Sequence, residues 1–165
     1  MALIVETGAI VANADTYVSR ADAITYAANR GVTLANTDAT DATIRKACDW
    51  MQSYAAQFKG EQVERDQPLA WPRDDVTIEG FDWDADEIPR QVISCQLAAI
   101  IEINAGNDPF NPPSALPVVS KKVAGAVEVA YANPGAQAKI TKDRDYIALL
   151  RLLLKNNGMA MVIRA

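Results

Sequence analysis

The chain contains no histidine, only two cysteines, and eight glycines that are never closer than ten positions apart. Without histidine there is no Ser-His-Asp or Cys-His nucleophile system, no HExxH metal helix and no imidazole acid or base near neutral pH. The glycine spacing excludes both the GxGxxG dinucleotide loop and the phosphate-cradling Walker loop. Cys48 and Cys95 fall in helix-like segments, where small buried apolar residues are expected rather than a bridge, and two thiols alone make no structural zinc site. The longest apolar runs, such as Leu97-Ala98-Ala99-Ile100-Ile101, fall far short of the roughly 20 residues that cross a bilayer, so no membrane span is expected. No Lys or Arg precedes Arg20, and Glu6 interrupts the only early apolar stretch, which is the wrong order for a signal peptide.

What is present is an ordinary globular composition: 165 residues, 50% apolar and 22% charged. A chain of this size hides about 68–70% of its unfolded surface, enough for one domain without staples. Charge is segregated. Residues 1–60 hold 5 basic and 6 acidic side chains, residues 61–110 hold 3 and 12, and residues 111–165 hold 8 and 3. The overall net charge of −5 argues against a dedicated nucleic-acid binder, because phosphate affinity comes from clustered Lys and Arg. The basic C-terminal third keeps that possibility only locally.

The pattern predicts a mainly α fold, a small bundle of about four helices with a β-hairpin and an extended C-terminal tail. Residues 1–13 read as a short arm. Ser19 caps a first helix with Asp22 in its first turn, running to Arg30 and stopping at Gly31. After Thr40-Asp41, the stripe Ile44, Ala47, Cys48, Met51, Tyr54, Ala55 and Phe58 predicts a second helix that ends at Gly60. Residues 61–87 read as a long acidic loop, with Val76-Thr77-Ile78 as a brief strand and Trp71 as its anchor. Pro89 opens a third helix, apolar nearly all round and therefore central, that runs to Gly106. Four prolines between 107 and 117 make a linker, and the runs around Gly125 suggest a hairpin over 117–131. A last helix through Leu154 is capped near Asp143, with Tyr146, Ile147, Leu150 and Leu153 at helical spacing. The single domain thus comprises a helical body (14–106 and 140–155), the acidic loop, the hairpin and a tail over 156–165.

No catalytic, metal or cofactor site is expected, and the chain does not read as an enzyme. Asp82, Asp84 and Asp86 mimic the start of a calcium loop, but Glu87 stands where its glycine belongs and Ile93 where its bidentate glutamate belongs. Asp74 and Asp75 are adjacent carboxylates without a supporting motif for magnesium. A solvated acidic loop accounts for all five. Lys121 and Lys122, with Val127, Val129 and Tyr131 on the other strand of the hairpin, are candidate interaction residues, for phosphates or for another subunit's acidic surface. Trp50 and Trp71 read as core and loop anchors; Trp83, ringed by carboxylates, would repel the phosphates of a bound strand.

The blocks Met1-Ala2-Leu3-Ile4-Val5-Glu6, Val11 to Ser19, Leu69-Ala70-Trp71-Pro72-Arg73, Ile88-Pro89 and Val123 to Val129 resemble a family of small tailed-phage proteins. Its members often carry the label DnaT-like single-strand-binding protein, and the family is similar to head-tail adaptor (connector) proteins. The resemblance covers almost the whole chain and includes no catalytic motif. It implies a subunit of the virion neck, assembled in the host cytoplasm. There it would form a homo-oligomeric, twelve-fold ring between the portal protein and a tail or head-completion (stopper) protein. Genomic DNA would pass through without sequence-specific contact. The acidic stretch from Asp74 to Glu87 is longer than the family's usual loop.

Two readings follow. The leading one is the structural adaptor. In it, loop 74–87 of one copy would face Lys121, Lys122, Lys139, Lys142 and Arg144 of the next, since a ring joins two different patches. Residues 156–165, freed at Gly158, would add to a partner's sheet edge with Met159, Met161 and Ile163 on one face. The alternative is a single-stranded-DNA-binding replication accessory protein. Composition disfavours it, predicting weak binding or none near physiological salt.

Overall fold

The computed structural model describes residues 2–110, 118–123, 127–131 and 145–155. Among these, the fold is mainly α: four helices with three two-stranded antiparallel ladders.

Helix α1 spans Arg20–Ala28, capped as expected by Ser19, whose hydroxyl accepts from the Asp22 amide at 3.1 Å. It ends two residues before the predicted Arg30. Helix α2 spans Asp38–Gln52, and both of its ends differ from expectation. It begins earlier because Asp38 and Asp41 suit the positive end of the helix dipole. It ends earlier because the stripe changes geometry: Ala55–Gln57 form a separate 3-10 turn, and Phe58 is placed in the core by that turn rather than by the helix. Helix α3, Arg90–Asn104, is the central one, packed against α1, α2 and α4 (Asp145–Leu153). On α4, Tyr146, Leu150 and Leu153 are buried and Ile147 is partly so, the predicted face.

The acidic loop is more structured than its composition suggests. Strands β1 (Glu61–Gln62) and β2 (Arg73–Asp74) pair, and β3 (Val76–Ile78), the predicted brief strand, pairs with β4 (Phe81–Trp83). The β3–β4 turn is Glu79-Gly80, with φ of +54° and +85°, the two left-handed residues that a tight hairpin requires. Trp71, 1% exposed, packs at 5.7 Å on the Phe58 ring and anchors the segment. Burying two such rings contributes roughly 1.5–3 kcal/mol each. Its Pro72 follows a cis peptide bond.

The expected hairpin is present as β5 (Val118–Val123) and β6 (Val127–Tyr131). The tail over 156–165, and with it Met159, Met161 and Ile163, lies outside the described residues, as do Lys139, Lys142 and Arg144.

Candidate nucleic-acid interface

A strand of nucleic acid needs cations free to meet phosphates and rings free to stack. Most cations of the body are engaged in holding it together. Arg20 grips the buried Asp41 with a bidentate pair, Nε donating to Oδ1 at 2.6 Å and Nη2 to Oδ2, and reaches Asn36 and Asp38 as well. Arg45 donates to Asp15 at 2.6 Å and to the carbonyl of Ala2. Arg73, 6% exposed, donates to the carbonyls of Lys59, Gly60 and Ala70, and burial lowers its pKa. Lys46 pairs with Asp108 at 3.2 Å, and Arg30 lies 3.4 Å over the Tyr26 ring.

The buried polar network also serves structure. Glu6, 3% exposed, accepts from the amides of Gly8, Ile10 and Val11, folding the N-terminal arm around one carboxylate. Gln96, fully buried, accepts from the Tyr17 amide and donates to the Thr16 hydroxyl and the Ile44 carbonyl. The Tyr17 hydroxyl accepts from Gln52 and from the Trp71 amide, and burial pushes its pKa up. Neither Glu6 nor Gln96 stands out as a candidate in the sequence. The only signal there is a polar residue inside an apolar run, which reads equally well as a solvated position. Cys48 and Cys95 are free and buried, as expected, and burial raises both thiols to about 12.

Asp74, Asp75, Asp82, Asp84 and Asp86 are all exposed, and no group of carboxylates or thiols among the described residues could hold a metal. The hairpin places Lys121 opposite Val129, Lys122 opposite Glu128 and Tyr131 opposite Val118, so the candidate residues of both strands share one short ladder. Trp50 and Trp71 are buried, 3% and 1% exposed, in the anchoring roles expected of them. Among the described residues, the large exposed rings are instead Phe81 and Phe110, which the sequence pattern does not single out.

The family described as "Putative DnaT-like ssDNA binding protein" matches the chain over residues 1–165. The chain belongs to this family. Neither the curated proteins nor the solved structures provide a match. The family match overturns the head-tail adaptor reading and with it the twelve-fold ring, the portal and stopper partners and the channel. Pairing of loop 74–87 with a neighbouring copy rested on that ring and goes with it. The structure supplies a physical reason for the error. Among the described residues, three of the blocks that carried the adaptor resemblance serve the inside of the chain: Trp71 fills the core, Arg73 ties β2 to the Lys59 and Gly60 carbonyls, and Thr16 bridges to Val5. Such blocks record a fold and say nothing of what the fold joins.

Proposed function

We propose that the chain binds single-stranded DNA without sequence preference, as a replication accessory rather than an enzyme. The observation that carries this reading is the family match across all 165 residues. Charge segregation supports it. The net −5 is an average that conceals 8 basic against 3 acidic residues over 111–165, and binding requires only a local basic strip. Lys121 and Lys122 on β5 provide phosphate contacts and Tyr131 on β6 a stacking ring. In this reading the helices form a small bundle that carries the hairpin.

The test is fluorescence anisotropy of a labelled oligo-dT, titrated with the full chain at several salt concentrations, beside a duplex of equal length. Binding to the single strand that weakens with salt is expected. In Lys121→Glu/Lys122→Glu the salt slope should fall by about 0.7 for each phosphate that the lysines no longer neutralise. Absence of binding at low salt, or equal affinity for the duplex, would overturn the proposal.

A further inference from the structure

The β3–β4 hairpin and the first turn of α3 enclose an open hollow of about 380 Å³. Two aromatic side chains stand in its wall, Phe81, 73% exposed, and the half-buried Trp83. Three carboxylates, Glu79, Asp82 and Glu87, line it against one cation, Arg90. A carboxylate cluster alone specifies no ligand; Gln91 adds what does. This side chain is 6% exposed and lines the same hollow, and its Nε2 donates to Glu79 Oε2 at 3.0 Å. Because a carboxylate only accepts, that bond fixes the orientation of the amide. The Gln91 Oε1 atom is left enclosed with no donor, an arrangement that is unfavourable unless a partner supplies one. Trp83 Nε1 is likewise enclosed without an acceptor.

We propose that this hollow receives an arginine side chain from an extended segment of a partner protein. A guanidinium carries five donors and no acceptor, matching a wall of carboxylates and one unpaired amide oxygen. Its flat face suits the two aromatic rings, where a cation is attracted by the ring quadrupole. The carbonyl of the same segment answers the Trp83 indole. A nucleotide fits less well, because its phosphate would meet three carboxylates for one arginine. The acidic face and the basic C-terminal third therefore have different partners, and this inference stands independently of strand binding.

The experiment uses a fluorescein-labelled peptide with two arginines flanking a leucine, titrated with the full-length protein, and the same peptide with glutamine in place of arginine. Binding of the arginine peptide alone is expected. Phe81→Ala, a change at an exposed position that leaves the core intact, should weaken it about threefold or more. Gln91→Leu should weaken it further, and unlabelled oligo-dT should not displace it. Three results would each overturn the proposal: no preference for arginine over glutamine, unchanged affinity in Phe81→Ala, or displacement by oligo-dT. The last, or a loss of oligo-dT binding in Phe81→Ala, would assign the hollow to a nucleobase instead.

Discussion

Arg20 and Asp41 sit at the first residue of α1 and in the first turn of α2, so their bidentate pair joins two helix starts. The Arg20 hydrogen bonds hold the Asp41 carboxyl below its ordinary 3.8, outweighing the opposing effect of burial. A carboxyl with a depressed folded pKa stabilises above its unfolded pKa, and that contribution is lost as pH falls through the folded value. The urea midpoint of Asp41→Asn should therefore lie below that of the native chain at about pH 6, and the gap should close as pH falls from about 4 toward 2. Parallel midpoints across that range would show that the pair is energetically idle. Residue identity also marks the limit of the sequence. Ser19 was legible as a cap because its hydroxyl acts on its own helix. Gln96 was not, since the groups that satisfy it lie about 50 and 80 positions away and no local period reports them.

Among elements, α1, α3, α4 and the hairpin were readable because spacing, caps and prolines act over one or two turns. The end of α2 was not: the apolar stripe continues through Phe58, while the backbone leaves the helix after Gln52 and uses a 3-10 turn to reach the same core. Strands β1 and β2, two residues each, carry no period at all. Their pairing is permitted instead by Gly60, with φ of +66°, where a Cβ would stand 2.1 Å from the Asp74 carbonyl oxygen and 2.5 Å from a Val76 methyl. Gly60 does not end α2, as the pattern suggested; it lets this backbone pass against β2. Gly60→Ala must then either strain the chain or part the ladder, with the Arg73 bonds to Lys59 and Gly60 at stake. A loss of about 2 kcal/mol or more in chemical denaturation is expected, with the helical circular dichroism of the native state retained. A neutral outcome would mean that the close approach yields at no cost.

At the scale of the whole molecule, acid and base lie in different thirds of the chain, and the mean of −5 describes neither. This is why composition argued against strand binding: net charge is a sum, and a strand meets a surface. The two thiols offer a measure of whether the helices share one core. Cys48 lies on α2 and Cys95 on α3; both are fully buried, and Cys95 Sγ donates to the Tyr146 carbonyl of α4 at 3.3 Å. With both pKa values raised to about 12, native labelling by a disulfide reagent at mildly alkaline pH requires that the thiols first be exposed. If α2, α3 and α4 open together, the two cysteines label at the same rate in Cys48→Ala and Cys95→Ala chains, once each variant's stability is matched with denaturant. That rate should fall in step with global stability. Labelling of Cys95 well ahead of Cys48 would instead reveal that α4 lifts away alone.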